Sequence, residues 1–119
     1  MESLFRLEFE VRDYECDLQG IVNNAVYQHY LEHTRHQFLR SRDIDFARMS
    51  ADGLDLVLVR VELDYKGSLR SGDRFVVDLR NEPTTNRIRQ VFLQDAWKLD
   101  GTAVLSARMT WTMIDRRRG

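Results

Sequence analysis

The sequence predicts an α+β fold: one antiparallel sheet of about five strands with a single long helix laid across it. Three observations carry this prediction. Apolar residues alternate with polar ones near the N-terminus, recur once at three- and four-residue steps, and alternate again through most of the second half. The second-half segments are separated by short turns rich in Gly, Asn, Asp and Ser, which make antiparallel neighbours. A sheet of that size has an apolar face to cover, and only one long helical pattern is available to cover it.

The elements follow in order. Phe5, Leu7, Phe9 and Val11 share one face of the first strand; Arg6, Glu8, Glu10 and Arg12 share the other. After a loop, Asn23 or Asn24 is placed to cap a helix, because a side-chain amide oxygen accepts an early helical N–H. Tyr27, Tyr30, Leu31, Thr34 and Phe38 form the core-facing stripe of that helix, which fades near Ser41. A short helical piece is expected over residues 45–52, stopped by Gly53. Val57, Val59, Val61, Leu63 and Tyr65 then alternate against Leu58, Arg60, Glu62 and Asp64. Lys66-Gly67-Ser68 and Ser71-Gly72-Asp73 break the chain. Phe75, Val77 and Leu79 mark a third strand, ended by Pro83; Val91, Leu93, Trp97 and Leu99 mark a fourth. Asp100-Gly101 predicts a hairpin through a type I′ turn. Ala103, Leu105, Ala107, Met109, Trp111 and Met113 are the inner face of a long last strand.

Composition bounds the function. The 119 residues fit one domain spanning the whole chain, large enough for a real core. A net charge of -1 offers no basic field for nucleic acid or an anionic membrane. Arg116-Arg117-Arg118 reads as a solvated tail. The single cysteine, Cys16, excludes an internal disulfide and suits a reducing, cytoplasmic compartment. No apolar run approaches the roughly 18 residues of a membrane span, and the N-terminus lacks the apolar stretch of a signal peptide.

The chemistry concentrates in Asp13-Tyr-Glu-Cys-Asp17-Leu-Gln-Gly20-Ile-Val-Asn-Asn24, just ahead of the long helix. A helix N-terminus presents unpaired backbone N–H groups and a partial positive charge. A carboxylate beside it can attack, or activate water against, a carbonyl that those N–H groups polarise. Asp17 read alone is equally a solvated loop carboxylate, Gly20 a turn glycine, and Asn23 and Asn24 plain caps.

The order of elements, with Asp17-x-x-Gly20-Ile-Val-Asn-Asn24 opening the helix, resembles the hotdog-fold thioesterases of the 4-hydroxybenzoyl-CoA thioesterase type. Val61-Glu-Leu-Asp-Tyr65 followed by Leu69-Arg-Ser-Gly72-Asp73 resembles that family's central strand and turn, and residues 107–115 its last strand. Residues 11–17, 22–27 and 35–39 are similar to plant acyl-carrier-protein thioesterases related to methylketone synthesis. The resemblance implies a hotdog fold, a sheet wrapped around one central helix, and hydrolysis of an acyl thioester on coenzyme A or acyl carrier protein. It implies Asp17 as the catalytic carboxylate and a backbone N–H near Asn24 as the carbonyl-polarising group, with Gly20 letting the backbone pass close to the thioester. Asn23, Tyr27, His33 and Arg35 are the residues expected to contact substrate. Two alternatives share the fold: a hotdog domain that binds acyl thioesters without turnover, and an enoyl-thioester hydratase or dehydratase. The latter is disfavoured because the loop and helix start contain no His before His29.

The remaining candidates have plainer readings. His29-Tyr-Leu-Glu32-His33 matches an inverted zinc-peptidase pattern, but a zinc site needs a further ligand and no His follows His36. No metal is expected, and no cofactor beyond the coenzyme A or phosphopantetheine of the substrate. Cys16 has no basic neighbour in sequence to activate it. Unpaired sheet edges are often resolved by pairing across a two-fold axis. The expected partners are therefore a small-molecule acyl thioester or an acyl carrier protein, and further copies of this chain in a homodimer or homotetramer.

Overall fold

The computed structural model describes residues 3–118. Five strands and two helices occur in the expected order: β1 (Phe5–Glu10), α1 (Asn24–Ser41), α2 (Phe46–Ala51), β2 (Leu54–Tyr65), β3 (Arg74–Glu82), β4 (Arg89–Lys98) and β5 (Ala103–Asp115). All strand pairs are antiparallel in one sheet ordered β1-β3-β4-β5-β2. The sheet lies against α1, which is the hotdog arrangement. No helix among the described residues is long and apolar enough to cross a membrane.

The helix is anchored by its predicted stripe. Tyr27, Tyr30, Leu31 and Thr34 are all buried, and Phe38 packs edge-on against Phe5 of β1 with ring centroids 6.0 Å apart. Phe75 of β3 stacks on Phe9 of β1 at 5.2 Å and meets the Tyr30 ring at 4.9 Å. One aromatic cluster thus ties β1, β3 and α1 together.

Several expectations are corrected. Not every short connection joins neighbours: β2 and β3 sit on different sides of the sheet order, β2 pairing with β5 and β3 with β1 and β4. The connection between them crosses the end of the fold beside the start of α1. The segment expected as a central strand is an edge strand of this sheet, paired among the described residues with β5 alone. A bulge between Leu58 and Arg60 also shifts its phase. Val61, Leu63 and Tyr65 do oppose Met109, Ala107 and Leu105 on the helix-facing side, but before the bulge Leu56 and Leu58 oppose Met113 and Trp111. Val57 and Val59 therefore leave the predicted inner face.

In β4 the phase is opposite to the expected one. Phe92, Gln94 and Ala96 pair with Met109, Ala107 and Leu105, whereas Val91 and Leu93 pair with Thr110 and Arg108. Gln94 is fully buried because α1 satisfies it: its Nε2 donates to the Leu31 carbonyl at 3.1 Å.

The hairpin at Asp100-Gly101 exists, but not as a type I′ turn, which needs positive φ at both central residues. Only Gly101 has positive φ, at 93°. Its N–H donates to the Lys98 carbonyl at 2.8 Å, and Lys98 N–H donates to Thr102 at 2.9 Å. This is a three-residue loop with a left-handed glycine. In β5, Leu105, Ala107 and Met109 are buried as expected, while Ala103 and Met113 at the strand's ends are exposed. The basic run is not a free tail either: Arg116 bonds Asp55 and Ser50, and Arg117 bonds Asp115. The Arg118 side chain lies outside the described residues.

Candidate active site

The loop before α1 is built from two consecutive turns. The first is a 3₁₀ turn over Asp13–Glu15, in which the Glu15 carboxylate accepts the Arg12 N–H at 2.8 Å. The second reverses the chain over Asp17–Gly20. Gly20 N–H donates to the Asp17 carbonyl at 3.0 Å, and Asp17 N–H donates to the Ile21 carbonyl at 2.9 Å. Gly20 has φ of 79°, a conformation that favours glycine. Cys16 and Val22 pair across the base of this turn, and the Cys16 side chain packs against the core.

The β2–β3 connection fixes this turn from outside. Val22 N–H donates to the Leu69 carbonyl at 2.9 Å, and Ile21 pairs with Arg70. Leu69 is fully buried, and its own N–H donates to the Tyr27 hydroxyl at 3.0 Å. Ser71 Oγ donates to Asp13. Burial pushes the Tyr27 hydroxyl above its usual pKa, opposed by the hydrogen bond from Leu69. Tyr27→Phe removes the acceptor and leaves a buried N–H unpaired, so it is expected to lower stability by about 1–3 kcal/mol in urea denaturation. A change below about 0.5 kcal/mol would show that this tether does not hold the turn.

The helix start is equally defined. Asn23, not Asn24, is the cap: its Oδ1 accepts the Ala25 N–H at 2.9 Å, and its carbonyl accepts the Val26 N–H at 2.9 Å. The Asn24 N–H, between them, has no acceptor among the described residues. The Asn24 carbonyl receives a long 3.5 Å contact from the Tyr65 hydroxyl.

Asp17 stands exposed on its turn. One carboxylate oxygen, Oδ1, accepts the Gln19 N–H at 2.8 Å, which fixes the side chain in an Asx turn. Among the described residues no other group bonds that carboxylate. Asp17, Gly20, Asn23 and Asn24 thus follow one another through the turn and the helix start, with Tyr27 buried one helical turn further on. A fixed carboxylate and an unpaired helix-start N–H are the two components an acyl-transfer site requires.

The structure does not bring His33 or Arg35 to this turn. They lie roughly 14 and 16 Å along the axis from Asn24, at 1.5 Å per residue. His33 is exposed, its ring 5.9 Å from that of Phe9, in a groove of about 780 Å³ between β1 and α1. His29 shares that groove, whereas His36 opens beside α2. No group of three or more His, Cys, Asp or Glu among the described residues is placed to hold a metal. Arg35 is buried on the sheet-facing side of α1, against Gln94, Met109 and Trp111. Sequence reasoning missed Tyr65, Leu69 and Gln94. The first two act through contacts about 40 residues away in sequence; a lone Gln amid apolar strand residues was the one local sign of the third.

Comparison with known proteins identifies the family of the chain. An acyl-acyl carrier protein thioesterase of Arabidopsis thaliana, chloroplastic by name, is 38% identical over 112 residues, covering 93% of this chain and 59% of the relative. A second of the same description is 41% identical over 85 residues, covering 71% of this chain and 45% of the relative. The chain therefore spans about half the length of these curated relatives. The crystal structure of a hypothetical protein from Aquifex aeolicus superposes with a TM-score of 0.83 at 34% identity, covering 92% of this chain and 88% of that one. Residues 11–119 match the family described as the thioesterase-like superfamily, and the chain belongs to that family.

Proposed function

We propose that the protein hydrolyses an acyl thioester, on coenzyme A or on an acyl carrier protein, to a free carboxylic acid and a thiol. The observation that carries this reading is a carboxylate, Asp17, fixed by its own turn seven residues ahead of a helix start whose Asn24 N–H has no acceptor among the described residues. Family membership and the plant relatives' names support it.

Two routes are open to such a carboxylate and N–H. In one, an Asp17 oxygen attacks the thioester carbonyl, the thiolate leaves, and water hydrolyses the resulting anhydride. In the other, Asp17 takes a proton from water as the hydroxide attacks the carbonyl, and collapse of the tetrahedral intermediate breaks the C–S bond and releases the thiolate, which takes up that proton. In both, the Asn24 N–H stabilises the developing oxyanion, and Gly20 keeps the turn free of a side chain that would crowd the thioester. Asn23 fixes the helix start, Tyr27 backs it, and His33 offers a contact to the acyl group or pantetheine along its groove. Arg35 opens onto a different cavity.

The deciding experiment is thiol release by the wild-type chain across short, long, β-keto and aryl thioesters on both carriers. Turnover of at least one class supports the reading. Tight binding with no thiol release from any of them removes it, in favour of a non-catalytic acyl-thioester binder.

The site in one chain is open: Asp17, Gly20, Asn23 and Asn24 are all exposed. Among the described residues β2 leaves one edge without a partner, and it exposes Val57, Val59 and Val61 at 40%, 50% and 38%. We assign that edge to a second copy, which would complete the substrate cleft within a homodimer or homotetramer. Sedimentation is expected to give a dimer or larger. Val59→Lys, a charge on the bulge, is expected to shift it to the monomer; a wild-type monomer would refute the assignment.

A further inference from the structure

Arg35 is a buried cation, 8% exposed, that forms no ion pair among the described residues. Its Nη1 donates to Gln94 Oε1 at 3.0 Å and touches Met109 Sδ at 2.8 Å, and the guanidinium carbon lies 5.4 Å from the centre of the Trp111 ring. Nε and Nη2 make no hydrogen bond with a described residue. An uncompensated buried charge is expensive, and burial pushes this guanidinium below its usual pKa, opposed by Glu32.

The same side chain lines a cavity of about 460 Å³ between the second half of α1, α2 and the sheet. That volume falls in the range of small-molecule pockets. The rest of the wall is mainly apolar: Phe38, Leu39, Leu54, Leu56, Phe92 and Trp111. The other charged groups on the wall are engaged or at the edge. Asp55 is paired with Arg116, Glu32 is exposed, and His36 is exposed beside it. None of residues 13–31 lines the cavity.

We infer that this cavity is a binding site, separate from the Asp17 turn, for a carboxylate with an apolar body, whose anionic end Arg35 holds while the apolar wall takes the chain. Such a molecule is the acid product of the proposed hydrolysis. The natural source of the ligand rests on that reading; the binding does not.

The test is titration of the full-length chain with decanoate and decan-1-ol below micellar concentrations. Trp111 fluorescence is read in a Trp97→Phe background, since Trp97 lies on the outer face under Arg6. Saturable binding of decanoate is expected, at least tenfold tighter than the alcohol. Arg35→Met is expected to weaken decanoate by about 10- to 100-fold, the effect of losing a charge-assisted hydrogen bond, and Arg35→Lys to weaken it less. Asp17→Asn is expected to leave decanoate binding unchanged, whatever it does to thiol release. Equal binding of acid and alcohol to the wild-type cavity overturns the inference without any variant, as does Arg35→Met binding decanoate as tightly as the parent. Loss of decanoate binding in Asp17→Asn overturns the separation of the two sites.

Discussion

Asp17→Asn is expected to lower kcat for thioester hydrolysis by about 10²–10⁴-fold, the range for removing a positioned general base or its equivalent. The substitution is informative because it is nearly isosteric and local. The described side-chain bond of Asp17 is the one its Oδ1 accepts from Gln19 N–H. An asparagine amide oxygen accepts the same bond, so the turn over Asp17–Gly20 persists while the negative charge is lost. Exposure of Asp17 means that no buried contact is disturbed. Circular dichroism and the urea midpoint are therefore expected to match the wild type. Asp17→Ala removes both the charge and the turn-forming acceptor, and is expected to lose turnover together with some stability. Activity of Asp17→Asn within tenfold of the wild type would assign the chemistry to another group.

The largest expected effect on stability lies at Phe75. It is fully buried, stacks on Phe9 at an interplanar angle of 11°, and meets Tyr30 edge-on. Phe75→Ala removes a ring that joins two strands to the helix. Loss of transfer free energy and the cavity left behind together cost about 3–5 kcal/mol. Against a total stability of roughly 5–15 kcal/mol, the variant is expected to unfold at far lower urea. Phe75→Leu, which keeps most of the volume, is expected to lose clearly less. A loss below about 1 kcal/mol for the alanine variant would show that the aromatic cluster collapses to fill the gap.

Much of this was legible because its causes are local. The alternation in residues 5–11, the three- and four-residue stripe from Tyr27 to Phe38, and the glycines at the turns set their elements through neighbours a few positions away. The turn and cap that carry the candidate residues were legible for the same reason: Asp17, Gly20, Asn23 and Asn24 lie within eight consecutive residues, and local hydrogen bonds set both.

β4 was misread because both of its faces carry apolar residues. Alternation alone cannot say whether Val91 and Leu93 or Phe92 and Ala96 turn inward. Gln94 settles it, and only because Leu31 and Arg35, about 60 residues earlier, supply its hydrogen bonds. β2 was misread because a one-residue bulge inverts every side chain beyond it, and nothing in Leu58-Val59-Arg60 marks the bulge.

The sequence by itself determined the number and kind of elements and the chain of residues that makes the Asp17 turn. Only the tertiary structure decided the strand order β1-β3-β4-β5-β2, the passage of the β2–β3 connection across the helix start, and the burial of Arg35 beside an apolar cavity. The physical reason is range. Propensity, caps and turns act within a few residues, whereas register and burial are set by partners tens of residues away, whose apolar area and hydrogen bonds exist only once the sheet has closed on the helix.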